Sequence, residues 1–215
     1  RDMSASILKW KMTVNQLRYL YEELHIVKTM ADEMGPEFQK HYEDFCRRHG
    51  IDLEALNKDN AEQLHDQFSQ NPGTKEEEER ECVDQDDSEM HETFSKLFRK
   101  LAMHLHPDRV ANLDLTEEEK GGMIEAFTES KVALEERRYF ILIDYAEKYN
   151  VPLPTNYKQQ TRWMLKEKEL VRGKLETKLA SYNYMFAEAE TNEAKDNLIK
   201  QFMKQIFNYE FEEES

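Results

Sequence analysis

In Phe94-Ser-Lys-Leu-Phe-Arg-Lys-Leu-Ala-Met-His-Leu-His-Pro-Asp-Arg109, apolar residues keep helical spacing until a proline stops them. Phe94, Leu97, Phe98, Leu101 and Leu105 recur three and four apart, which places them on one stripe of an α-helix. Lys96, Lys100 and His104 fall four apart on a second stripe, with Arg99 beside them. Proline disfavours α geometry at the residue before it and brings no backbone donor, so the helix is expected to end close to His106. Asp108 is then presented from a rigid bend.

Downstream, Thr116-Glu-Glu-Glu119 has the form of a capping box, with Thr116 as N-cap and Glu119 at the third helical position. Met123, Phe127, Ser130 and Leu134 trace one face of the helix it opens, flanked by Ala126 and Ala133. The connection is short enough for the two helices to fold back antiparallel, apolar stripe on apolar stripe.

Leu97-Phe-Arg-Lys-Leu-Ala-Met-His-Leu-His-Pro-Asp-Arg109 resembles the second helix and signature loop of a J-domain, the co-chaperone module of the DnaJ family. Phe98, Arg99, Lys100, Leu101, Ala102 and Arg109 fit that pattern, and Phe127 and Ala133 match positions of its third helix. The likeness covers residues 94 to 134. Three features depart from it: no Tyr-x-x-Leu-Gly first helix stands upstream, Ser130 occupies a usually apolar position, and Gly121-Gly122 lies inside the third helix. The resemblance implies a DnaK-type heat-shock chaperone as partner. Lys96, Arg99, Lys100 and Arg109 would dock on an acidic surface of that ATPase, and Asp108 would accept a charge-assisted bond. His106 and Pro107 would set the loop geometry.

Composition narrows the classes. Mean hydropathy of -0.91 and 35% charged residues, with only 6 Gly and 5 Pro in 215 residues, predict an all-α chain of long helices and short connections. A net charge of -15 argues against nucleic acid and anionic membrane as partners, because phosphate contacts need clustered cations. Cys46 and Cys82 stand far apart in unlike surroundings, which suits neither a disulfide framework nor a zinc module. No run of about eighteen apolar residues is present. The chain is expected in the cytoplasm, with a virion as the alternative.

Four segments follow from a pass along the chain. Residues 1–56 read as an N-terminal helical hairpin. Trp10, Val14, Leu17, Tyr21 and Leu24 form its seam, and Met34-Gly35-Pro36 is its expected break. Residues 57–90 read as an acidic linker, which could fold back as a masking arm over Arg99 and Lys100. Residues 91–154 hold the J-like hairpin together with Tyr139-Phe-Ile-Leu-Ile143. That pentamer is apolar enough for a strand, but Leu142, Tyr145, Ala146 and Tyr149 keep helical spacing and predict a helix that covers the hairpin. Residues 155–215 read as a C-terminal helical hairpin, helical over 157–189 and broken at Thr191-Asn192-Glu193.

No phosphate-binding glycine loop, nucleophile elbow or zinc-protease helix motif is present, so the chain is expected to be no enzyme and to need no cofactor. His104, His106 and Asp108, with His91 upstream, are the one metal-like grouping, and around a proline-broken helix end their side chains need not converge. The other histidines, His25, His41, His49 and His65, read as helix-surface residues. Two functions follow as expectations. In the first, a J-like hairpin recruits and stimulates a DnaK-type ATPase while the flanking helices select a client or anchor the protein. The alternative is an all-helical structural or assembly protein, for example a virion component, that keeps the hairpin as a fold element. Exposed helix stripes leave room for a second copy of the chain.

Overall fold

The computed structural model describes residues 2–60 and 85–211, and every regular element among them is a helix. They are α1 (Asp2–Arg48), α2 (helical over 53–60), α3 (Gln85–Leu105), α4 (Pro107–Val110), α5 (Glu117–Glu135), α6 (Tyr139–Lys148), α7 (Tyr157–Leu179), α8 (Tyr182–Glu188) and α9 (Asn192–Phe207). The all-α expectation is met. None of the described helices is long and apolar enough to cross a membrane. The chain forms two compact units: Arg1–Glu22 with Arg80–Arg172, and Glu23–Glu79 with Gly173–Ser215.

In the first unit, α3 and α5 lie antiparallel. Phe98 stacks near Phe127 at 6.0 Å, while Phe94, nearer the start of α3, stacks on Tyr139 beyond the end of α5 at 4.4 Å. Phe94, Leu97, Leu101 and Leu105 are buried, as their spacing predicts. On α5 the buried residues are Ala126, Ser130 and Ala133, while Met123, Phe127 and Leu134 are half-buried. The contact seam is thus shifted onto the small residues, where the backbone can approach its neighbours most closely. The capping box is present in both directions, Thr116 Oγ1 accepting from Glu119 N and Glu119 Oε2 accepting from Thr116 N.

The pentamer Tyr139–Ile143 is helical and buried at all five positions within α6. Helix α6 has no capping side chain at its own N-cap, Arg138. Glu167 of α7 supplies one: its Oε2 accepts from Phe140 N at 3.2 Å while its Oε1 accepts from Tyr21 Oη at 2.6 Å. A carboxylate at a helix N-terminus offsets the positive end of the backbone dipole. Burial and the Glu167 charge together push the Tyr21 hydroxyl well above the ordinary tyrosine range. Trp10, Val14 and Leu17 of α1 are buried in this unit. Trp10 donates to Gln160 at 2.8 Å and meets Tyr157 edge-on, and Arg18 bridges Asp144 and Glu147.

In the second unit, Phe38, Tyr42, Phe45 and Cys46 of α1 pack with Phe186 of α8 and Ile199 and Met203 of α9. Phe202 receives edge-on contacts from Phe38, Tyr42 and Tyr182. Asp196 of α9 accepts from His41 and Arg48 of α1 at 2.7 and 2.8 Å. His49 stacks on Phe45 at 4.1 Å. His41 is therefore half-buried rather than a surface residue, while His49 is exposed, as expected.

Several expectations need correction. Met34-Gly35-Pro36 does not break a hairpin, because α1 runs through Pro36 to Arg48. An internal proline costs a helix about 3 kcal/mol. Burying Phe38 and Phe45 on the same helix returns about 1.5–3 kcal/mol each, so continuity wins. Of the expected linker over 57–90, residues 57–60 and 85–90 are helical, and 61–84 lie outside the described residues. Asp52 caps α2, its Oδ1 accepting from Glu54 N and Ala55 N. The masking arm and Cys82 lie outside the described residues. The helix over 157–189 stops instead at Leu179, because Ser181 caps a new one by accepting from Tyr184 N.

Candidate functional site

The bend after α3 is built from its own sequence. His106 has φ -59° and ψ 133°, the extended geometry that a following proline imposes, and its N–H still closes α3 by donating to Ala102 O at 2.9 Å. Pro107 then opens α4 at a position where its missing donor costs nothing. Val110, fully buried, anchors the turn, and its N–H donates to His106 O at 3.0 Å. The His106 ring accepts from Asp108 N at 3.3 Å and meets Phe127 of α5 edge-on at 5.4 Å. Asn112 Nδ2 donates to Asp108 O at 2.7 Å. Asp108 is thus held by its backbone on both sides while its carboxylate is 94% exposed, 3.7 Å from the His106 ring. Its place is in the first turn of a short helix, not in an irregular loop.

The cationic residues divide into two sets. Arg99 and Lys100 are exposed and carry no ion pair among the described residues. Lys96 is exposed but bridges Glu92 at 2.8 Å, one turn earlier, and this pairing lowers the Glu92 carboxyl below its ordinary range. Arg109 folds back instead of outward, its guanidinium donating to the Met103 carbonyl and satisfying an otherwise open acceptor in the last turn of α3. The resemblance implies that both act with Arg99 and Lys100 as docking cations. The structure gives each an intrachain partner.

Met103 was not singled out by the sequence reading. It falls off the buried stripe, shares the i, i+3, i+4, i+7 face of Lys96, Arg99 and Lys100, and is 66% exposed. An unbranched thioether on a cationic face is suited to an adaptable apolar contact. The signal was available: Met103 is the one large apolar residue of 94–105 that breaks the stripe.

Among the described residues, no three His, Cys, Asp or Glu side chains are grouped as metal ligands, those of His104, His106 and Asp108 included. Comparison of the chain with protein families, with curated proteins and with solved structures returns no match.

Proposed function

We propose that this chain is a J-domain-like co-chaperone that recruits and stimulates a DnaK-type heat-shock ATPase through the His106-Pro107-Asp108 turn and the exposed face of α3. The observation that carries the reading is the Asp108 carboxylate, 94% exposed on a backbone fixed from both sides, at the end of a helix bearing Arg99 and Lys100. In this reading the chain makes and breaks no bond, and hydrolysis belongs to the partner. Arg99 and Lys100 steer the face onto an acidic surface. Asp108 accepts a charge-assisted hydrogen bond from a cation of the ATPase, as the resemblance implies. Such a bond stimulates hydrolysis only if it forms better in the hydrolysis-competent state than in the resting one.

Single-turnover ATP hydrolysis by a DnaK-type chaperone tests this with the native chain, Asp108→Asn and the Arg99→Glu/Lys100→Glu pair. A hydrogen bond to a charged group is worth about 1.5–3 kcal/mol, so stimulation is expected to fall roughly ten- to hundredfold in Asp108→Asn. Equal, negligible rates from native and variant chains overturn the reading. The rival, an assembly protein that keeps the hairpin as a fold element, then stands. It is favoured by the intrachain engagement of Lys96 and Arg109.

A further inference from the structure

Within the first unit, α1 and α7 run parallel: Trp10 meets Tyr157 and Gln160, and further along both helices Lys168 donates to Gln16. Beside their buried seam lie two open hollows, whose lining residues follow one another at spacings of three and four along each helix (Ser6, Lys9, Met12, Gln16 and Leu20 on α1), and we treat the two together as one trough. Met12, Tyr19 and Leu20 line it from α1 and Leu165 from α7. Met12 is 52% exposed and Tyr19 65%, and Leu8, one turn before Met12, is 65% exposed. Leu8, Met12 and Tyr19 stand at i, i+4 and i+11 and so share one face of α1, which leaves apolar surface exposed along it for the apolar stripe of a partner helix.

The trough is also cationic, in a chain whose net charge is -15. Lys9, Lys158 and Arg162 line one end, and Lys168 and Arg172 the other. Lys9 and Lys158 have no ion pair among the described residues, and the bond of Lys168 to Gln16 is to a neutral amide. The acidic residues of α7 in this unit are Glu167, which is buried, and Glu169, which is paired with Arg172. From Ser6 to Leu20 the α1 wall is about 21 Å long, enough for roughly four turns of a third helix.

We propose that the α1–α7 trough is a docking site for an acidic amphipathic helix of a partner protein. Its apolar stripe seats on Met12, Tyr19 and Leu165, and its carboxylates meet Lys9, Lys158 and Lys168. A short acidic helix places its charges within a Debye length of these cations, about 8–10 Å, whereas an extended polyanion also meets the acidic remainder of the chain. A flat bilayer does not reach the floor of a trough. A second copy would oppose this basic face to its own equivalent across a two-fold axis. None of these residues belongs to the His106–Asp108 turn, so the proposal stands independently of the co-chaperone reading.

The test uses the full chain and a fluorescein-labelled peptide of about sixteen residues with a leucine stripe and glutamate flanks, against a scramble of equal composition. Anisotropy titration at about 0.15 M salt is expected to show at least tenfold tighter binding of the amphipathic peptide. Met12→Asp and Lys168→Glu should each weaken it at least fivefold. Lys158→Glu, at the other end, provides a second charge reversal on an exposed residue, and circular dichroism verifies that each variant remains helical. Equal binding of the scramble, or variants that bind like the native chain, overturns the proposal. Tighter binding to phosphatidylserine vesicles or duplex DNA overturns it in favour of a polyanion site. A sedimenting dimer that Met12→Asp dissolves overturns it in favour of self-association.

Discussion

Replacing Gly35-Pro36 by Ala-Ala should stabilise the protein, because both residues lie inside a continuous α1 that neither favours. Proline at position 36 removes the N–H that would reach the Asp32 carbonyl and crowds the preceding turn; relative to alanine this costs about 3 kcal/mol, and glycine at 35 about 0.8–1.0 kcal/mol. No steric debt opposes the change: Pro36 is exposed, and a Cβ on Gly35 would sit 3.5 Å from Asn183 Nδ2, an ordinary contact. The gain is therefore about 4 kcal/mol, or roughly 8–16 °C in unfolding midpoint for a chain of this length. Thermal unfolding followed by far-ultraviolet circular dichroism reads the total, since it senses all helices. Trp10 and Trp163 both lie in the first unit and Pro36 in the second, so tryptophan fluorescence serves as the local control. Amide exchange over residues 33–40 locates the effect, and protection should rise there. A lower midpoint, with exchange over 33–40 still fast, would refute the continuous helix and restore the break that Gly35-Pro36 suggests on paper.

Two further outcomes follow from side-chain environments. Ser130 is fully buried on α5 and its Oγ has no hydrogen-bond partner, so Ser130→Ala should raise stability by about 1–2 kcal/mol in urea unfolding, and a loss would reveal a partner for the hydroxyl. Hydrogen bonding to Arg48, and secondarily to His41, holds the Asp196 carboxyl below the usual carboxylate range against the opposing effect of burial. A carboxyl whose value is depressed on folding stabilises fully above its unfolded value, about 3.9, and loses that contribution as pH falls through the folded value. The second unit should therefore weaken below about pH 4. Asp196→Asn should flatten this acid limb in circular-dichroism titrations, and an unchanged slope would remove Asp196 from the account.

Helix content was legible because the chain repeats apolar residues at three and four and contains few glycines and prolines. The Thr116–Glu119 capping box and the Phe94–Leu105 stripe stand as their residue types require. Long-range compensation was not legible. Nothing local to Arg138-Tyr139-Phe140 announces that Glu167, twenty-seven residues beyond Phe140, closes the N-terminus of α6. Nor can spacing weigh Gly35-Pro36 against the Phe38 and Phe45 burial that carries α1 past them, because that energy resides in α8 and α9. The Ser181 cap that splits 157–189 was available in the sequence, but the apolar residues on either side of it kept a helical rhythm.

At the site the same division separates Asp108 from its cationic neighbours. Proline fixes the backbone locally, so an outward carboxylate follows from three residues, and the buried Val110 and the Asn112 bond reinforce it from within the next four. A cation's direction is a competition among acceptors. Lys96 finds Glu92 one turn back, a pair at i, i+4 that was readable in the sequence. Arg109 finds the Met103 carbonyl, an acceptor that becomes available only because Pro107 ends α3 and leaves the last carbonyls open. The proline that presents Asp108 therefore also recruits Arg109 into the helix end, and the exposed cations left beside the bend are Arg99 and Lys100, with Met103 exposed between them and it.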